Sequence, residues 1–307
     1  VDRSLVTGGA GFIGSHLAAR LVAAGHEVVV LDDLSTGKLS NLAGIEVEFI
    51  QGSVIDRSDL ARATAGVDNV FHLAALVGVP ESLADPERTL EVNVVGTIRL
   101  LLAAAEAGAR RFVLSSSSAI YGDDAPVPNP EACYPGPISP YGLSKLDGEF
   151  YLAMYAEQLG LHTVALRYFN VFGPRQDPRS PYAAVIPIFI DRALAGRDLI
   201  VFGDGEQTRD FIAVNDVAAA NLFALTAPPG VYNVGCGGRI TVNDLASKII
   251  SLTGSSSAVV HEPARPGDIY HSQADVTRIS AAGFRPGVGL DQGLRETIRF
   301  FREHPPE

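Results

Sequence analysis

The sequence predicts an α/β fold: a doubly wound, parallel Rossmann-type sheet followed by a smaller mixed α/β C-terminal domain. Three observations predict it. Short apolar runs alternate with amphipathic stretches through the first half of the 307 residues, the rhythm of strands buried on both faces and of the helices that cover them. The stretch LVTGGAGFIGSHLA sets spaced glycines between the first apolar run and the first amphipathic one. Past about residue 170 the rhythm breaks into prolines, short strands and shorter helices. Residues 1–170 are expected to form mainly the first domain and 171–307 mainly the second, with segments near 205–235 returning to the first.

In chain order, SLVT and EVVVLD read as strands with an apolar-periodic helix over 12–24 between them. IEVEFIQG, VDNVFHLAA and RRFVLSS continue the strands, joined by helical segments around 56–64 and 87–107. A long helix over about 144–158 leads into HTVALRYFNVFG, read as one further strand. Prolines at 174, 178, 181 and 187 then interrupt the chain. Beyond them come a helix near 188–195, the short strands RDFIAV and GVYNVG, helices over 216–225 and 242–253, and a terminal helix near 290–302.

With 47% hydrophobic and 19% charged residues the chain can bury a full core. A net charge of −11 argues against a nucleic-acid surface, yet leaves room for a small anion held by a few arginines. Cys133 and Cys236 lie in no paired metal or redox motif, and no His, Asp or Cys cluster has metal-ligand spacing. No apolar run is long enough to span a bilayer. The expectation is a cytoplasmic protein without metal, membrane or nucleic-acid partners.

Gly9, Gly11 and Gly14 match the dinucleotide fingerprint, and Gly8, Gly11 and Gly14 fit it equally well. Such glycines allow a tight turn and close approach of the backbone to a diphosphate, while the N-terminus of the next helix offers free N–H groups. Asp32 closes the second strand, where a carboxylate accepts from an adenosine ribose. No arginine follows it, so NAD is expected rather than NADP; Asp33 is either a second contact or solvated.

Tyr141 and Lys145 stand four apart in SPYGLSK, on one face of a helix that starts after a proline. An ammonium beside a phenol, together with the positive ring of an oxidised nicotinamide, favours phenolate and makes the pair a general base. A hydroxyl donor is then needed at the end of RRFVLSS, so one of the four serines from 115 to 118 is expected to be chemical.

Together with LRYFNVFGPRQ, GEQTRDFIAVNDVA and RPGD, these motifs resemble the extended short-chain dehydrogenase/reductase family, and within it nucleotide-sugar epimerases of the UDP-galactose 4-epimerase kind. The likeness runs from Leu5 to the last helix. It implies that Ser117, four residues before Tyr121, is catalytic with Tyr141 and Lys145, and that Ser118 is accessory. Dehydratases and decarboxylases of similar sequence carry carboxylates at the next positions, where this chain has Ser118 and Ala119, so oxidation and re-reduction without elimination is implied. NAD is then tightly bound and regenerated at each cycle.

The same resemblance implies an NAD shell of Gly8, Gly11, Phe12, Ile13 and Gly14, then Asp32, Asp33, Ser35, Thr36 and Gly37. Ser53 and Val54 after the third strand, Leu73, Ala74 and Ala75 after the fourth, and Asn93, Ser115 and Tyr168 complete it. Ser53 stands where the family often has an aspartate for the adenine amino group. His72 is either structural or lines the cofactor.

For the sugar nucleotide the resemblance implies Arg209 and Arg265 on the phosphates, Asn170 on the diphosphate and Asp268 on the nucleoside ribose. The lesser alternative for Arg209 is a structural pair with Asp210 or Asp216. Ala184, Val185, Val201 and Arg192 are expected to line the pocket, with Ser272 a small gate residue that leaves room for an N-acetyl group. Arg175, Arg179 and Arg192 would be the partners of a uronate carboxylate, although Asp177 stands where glucuronate epimerases place an arginine. The implied activity is 4-epimerisation of UDP-glucose and UDP-galactose, with the N-acetyl forms; the alternatives are UDP-glucuronate with the same mechanism, or a non-catalytic NAD-binding regulator. Helices around 91–105 and 143–158 are expected to pair in a homodimer.

Overall fold

The computed structural model describes residues 1–180, 183–264 and 269–305. Strand β1 (Arg3–Thr7) leads through helix α1 (Phe12–Ala23) to β2 (Glu27–Asp32) and then β3 (Glu48–Gln51). The chain crosses back by α2 (Arg57–Ala63) to β4 (Asn69–His72), on the other side of β1. Short helices α3 (Val79–Ala84) and α4 (Pro86–Leu90), then α5 (Gly96–Glu106), precede β5 (Arg111–Ser117). Helix α6 (Pro140–Leu159) returns the chain to β6 (His162–Tyr168).

The second region opens with β7 (Asn170–Phe172), α7 (Val185–Leu194) and β8 (Leu199–Phe202). There follow β9 (Thr208–Arg209), β10 (Phe211–Ala213) and α8 (Val214–Ala224), then β11 (Gly230–Val234), β12 (Ile240–Thr241) and α9 (Val242–Thr253). Strand β13 (Val259–Glu262) and helices α10 (Thr277–Ala281) and α11 (Leu290–Glu303) end it.

Seven parallel strands stand in the order β11-β6-β5-β4-β1-β2-β3, a Rossmann-like sheet. Alternate residues supply opposite faces: Val6, Phe71 and Val113 pack with α1 and α8, whereas their neighbours Leu5, Val70 and Leu114 pack with α5 and α6. That burial on both sides explains the near-continuous apolar runs. The winding direction reverses between β1 and β4, which opens a crevice at the carboxyl ends of the strands. The smaller C-terminal domain is mixed α/β, with α7, α9 and α11 joined to β8 and β13 around Phe189, Leu199, Leu245 and Leu294.

Several elements differ from the sequence expectation. Helix α6 begins at Pro140 rather than 144, because the Ser139 hydroxyl caps Gly142 N–H and proline presets the first turn. The segment over 87–107 is α4 and α5 joined by a π turn at Glu91–Val95. HTVALRYFNVFG is two strands, for Phe169 N–H bonds to Val234 while β7 leaves the sheet to pair with β10. RDFIAV is divided likewise between β9 and β10, whose partners differ. Strands β8 and β13 pair with each other across a long separation that local pattern does not reveal.

Candidate active site

At the switch point the chain must turn sharply, and the glycines show why. Gly8 has φ +68°, and a Cβ on it would lie 2.8 Å from Ala74 N; one on Gly14 would lie 2.1 Å from Gly8 O. A Cβ on Gly9 would collide with Val30, and one on Gly11 would be a tight 3.1 Å from Gly8 O, so the packing excludes a side chain at Gly8, Gly9 and Gly14 and crowds one at Gly11. Gly11 is the N-cap of α1 and brings no capping side chain, and no acidic residue stands in the first turn. The N–H groups of Phe12, Ile13 and Gly14 have no acceptor within the helix, which suits them to a diphosphate.

Asp32, 7% exposed, accepts from Ala10 N at 2.9 Å and Leu34 N at 2.8 Å. Burial raises its carboxyl from the usual value, against the pull of those two N–H groups. A Cβ on Gly37 would come within 2.7 Å of Asp32, so the loop carrying exposed Ser35 and Thr36 passes close over the carboxylate. Asp33 is exposed and holds Ser35 N at 2.9 Å. Ser53 gives its N–H to Asp59, and buried Val54 packs under Gly96.

A buried relay crosses from this cradle to α6, and its donors can be assigned in order. Ala74 N–H donates to Thr7 Oγ1, Thr7 donates to His72 Nδ1 at 2.8 Å, and His72 Nε2–H donates to Thr97 Oγ1 at 2.8 Å. Thr97 donates to the Asn93 carbonyl; the Asn93 amide binds both polar backbone groups of Leu76 and donates to Ser144, which donates to the Tyr141 carbonyl. His72 is 2% exposed, and burial, with the Lys145 charge nearby, lowers it to about 3. The imidazole is thus a neutral structural link. Leu73 and Ala75 flank the segment that the relay fixes.

Tyr141, Lys145 and Glu149 follow one another at intervals of four along α6, so they form one stripe toward β5. Lys145 Nζ donates to Ser115 O at 2.9 Å and stands 5.9 Å from the Tyr141 ring centroid. Burial lowers its ammonium to about 8. Burial holds the Tyr141 phenol above its usual value, against the downward pull of the nearby Ser117 side chain. The expected depression of the phenol is therefore not a property of these residues alone. Ser117 Oγ also accepts Ala119 N–H, and Ser118 opens the turn that follows.

Ser115 bonds Tyr168 Oη at 2.9 Å, and Asn221 holds the same phenol, so Tyr168 is tied to its neighbours. Sequence reasoning missed the layer beneath. Glu149 receives hydrogen bonds from Ser116 and from Arg167, whose guanidinium also reaches Tyr121 Oη at 2.9 Å, and Tyr121 donates to Asn233. The spacing of Glu149 from Tyr141 and Lys145 was the available signal.

On the side of the second domain, Asn170 donates its amide to Asp210 O at 3.1 Å. Arg209 donates to Thr208 O and Tyr270 O. The carboxylates of Asp210 and Asp216 instead accept backbone N–H groups of Cys236, Gly237 and Ala274, and of Gly287 and Val288. Ser272 is 8% exposed, with its N–H on Thr208 O. Ala184 caps α7, with Val185 in its first turn. Val201 is 1% exposed within the C-terminal core, on β8 beside His261 of β13, so its side chain does not line an open pocket. Arg192 stands in the last turn of α7 and gives its Nε–H to Asp198 O, which does not bring it to the Ser117 group. Arg265 and Asp268 lie outside the described residues. Among the described residues no cluster of His, Cys, Asp and Glu could hold a metal, and no helix is long and apolar enough to cross a membrane.

Residues 4–235 match the NAD dependent epimerase/dehydratase family. The chain is 42% identical to a UDP-glucose 4-epimerase of Mycolicibacterium smegmatis over 311 residues, covering 98% of each. Among solved structures it resembles UDP-glucose 4-epimerase of Thermotoga maritima with UDP-glucose, at 41% identity and TM-score 0.95, over 98% of this chain and 99% of that one. It is equally similar, at 41% and 0.95 over 98% of each chain, to UDP-N-acetylglucosamine 4-epimerase of Methanobrevibacter ruminantium in complex with UDP-N-acetylmuramic acid.

Proposed function

The chain belongs to the NAD dependent epimerase/dehydratase family, and we propose that within it this is a 4-epimerase of UDP-hexoses that retains NAD through each cycle. The observation that carries this reading is the placing of Ser117 near enough to Tyr141 to lower its phenol, with the Lys145 ammonium 5.9 Å from that ring, and with Ser118 and Ala119 where elimination would need an acid and a base.

The cradle fits the cofactor. Gly8, Gly11 and Gly14 leave the space, the first turn of α1 offers donors to a diphosphate, and Asp32 offers an acceptor to a ribose. Bound NAD supplies the hydride acceptor and donor for the sugar C4. Tyr141 Oη takes the proton of the 4-hydroxyl and later returns it, while Ser117 Oγ holds that oxygen through both steps. A charged Lys145, 5.9 Å from the ring of Tyr141, favours the phenolate on general electrostatic grounds, and the positive ring of oxidised nicotinamide would act in the same direction. Arg209, Asn170 and Arg265 are assigned to the diphosphate of the sugar nucleotide and Asp268 to its ribose.

Small Ser272 supports acceptance of N-acetyl sugars beside glucose and galactose, since a void can hold water. We also assign the exposed apolar stripe of Leu102, Leu143, Phe150 and Met154 on α5 and α6 to a homodimer interface. The test is to incubate purified protein with UDP-glucose, UDP-galactose, their N-acetyl forms and the uronates, and to follow C4 configuration by NMR. Interconversion of a hexose pair is the expected result; no change with any of them rejects the reading.

A further inference from the structure

The segment after β7 carries a cation that the mechanism above does not use. Gly173 to Asp177 cross the beginning of α1, and three contacts fix them there. His16, in the second turn of α1, donates Nε2–H to Pro174 O at 2.9 Å. Lys38, in the loop after β2, forms an ion pair with Asp177 at 3.0 Å. A Cβ on Gly173 would lie 2.4 Å from Val214, so the segment also packs against the start of α8.

Helical side chains lean toward the N-terminus, and the His16 ring accordingly meets the Phe12 ring edge-on at 6.1 Å. The carbonyl that His16 holds therefore lies beside the first turn of α1, and Arg175 is the next residue. Arg175 has φ +69°, a conformation that non-glycine residues adopt only when their surroundings impose it. Its Nη1 is buried and has no hydrogen-bond partner. His16, held down to about 4 by burial and the Arg175 charge, is a neutral imidazole that offers no anion, and the adjacent Asp177 carboxylate is taken by Lys38 and by Arg179 N–H. A guanidinium nitrogen buried without an acceptor is costly, and an anion would relieve it.

We propose that Arg175 binds the diphosphate of the bound dinucleotide, opposite the N–H groups of Phe12 and Ile13, so that the strap over 173–177 covers the cofactor and retains it between turnovers. The proposal rests on the NAD reading given above. A planar fork matches diphosphate oxygens, and the anchoring to α1 places it on the cofactor side, whereas Arg209 on β9 serves the other domain.

The experiment compares wild type, R175N and R175K. Asparagine tolerates the left-handed conformation, so R175N removes the guanidinium without new backbone strain; R175K retains a point charge without the fork. Protein stripped of nucleotide is titrated with NAD and, separately, with UDP by calorimetry, and the NAD content of freshly purified protein is measured after acid release. The expected result is NAD affinity at least tenfold weaker in R175N, an intermediate loss in R175K, and UDP affinity within twofold of wild type for both. NAD affinity of R175N within twofold of wild type overturns the assignment, and loss of UDP affinity with NAD unchanged transfers Arg175 to the sugar nucleotide. If R175N does not fold, a tenfold or greater loss in R175K supports the assignment and wild-type affinity in R175K overturns it. Absence of NAD binding in wild type rejects instead the cofactor reading on which the proposal rests.

Discussion

Glu149 on α6 and Arg167 on β6 form a two-pronged ion pair, with bonds of 2.9 and 2.7 Å, and their side chains are 5% and 7% exposed. Burial disfavours the charge of Arg167, but the bonds and charge of Glu149 outweigh it and hold the guanidinium protonated. The pair locks α6 against β5 and β6, because Arg167 lies on β6 and Ser116 of β5 donates to the same Glu149 carboxylate, two helical turns beyond Tyr141.

Removing one partner leaves the other charge buried alone. E149M and R167M should therefore each lose about 3–5 kcal/mol of stability, whereas E149M/R167M should lose clearly less than either single change. Urea unfolding of wild type and these three variants checks this, and a double variant as unstable as the sum of the singles contradicts it.

Y141F should retain NAD and lose turnover by about a hundredfold or more, as removal of a general base does. NAD content and initial rates on the same preparation give the answer. An active Y141F protein would reassign the base.

The relay through His72 makes stability depend on pH. Its folded value is about 3 and its ordinary value 6.5, so between these limits the unfolded chain binds the extra proton and stability falls as pH falls. His72 should contribute a loss of about 1.4 kcal/mol per pH unit below 6.5, ending near 3. H72Q, which does not titrate, should flatten that slope by one proton. Urea midpoints from pH 5 to 7 are the measurement, and equal slopes in both proteins contradict the neutral relay.

Ser272 is buried beside Thr208, where a large side chain must enter the pocket or displace the strand. S272Y should reduce kcat/KM for UDP-N-acetylglucosamine at least tenfold relative to UDP-glucose. An unchanged ratio removes the gate role.

Phe150 is 62% exposed and Met154 49%, on the face of α6 opposite the Tyr141 stripe. Light scattering should give a dimer for wild type and a monomer for F150E/M154E, with the fold retained. A monomeric wild-type protein at micromolar concentration excludes the interface.

The residues that local pattern specified are those whose partners are near in sequence. Strands buried on both faces, the glycine turn before α1, Asp32 at the end of β2 and the four-residue spacing of Tyr141 and Lys145 all follow from steric and periodic rules acting within one βα unit. The family likeness added Ser117, which lies 24 positions before Tyr141 and reaches it only because β5 and the start of α6 meet at one end of the sheet. Tertiary structure alone decided the rest. It set Arg167 beside Ser116 across adjacent strands, broke HTVALRYFNVFG where β7 turns to β10, and left Arg175 Nη1 buried without an acceptor. Burial, rather than spacing, fixes the charge states of His72 and Lys145, because the free energy of an ion depends on what surrounds it in three dimensions.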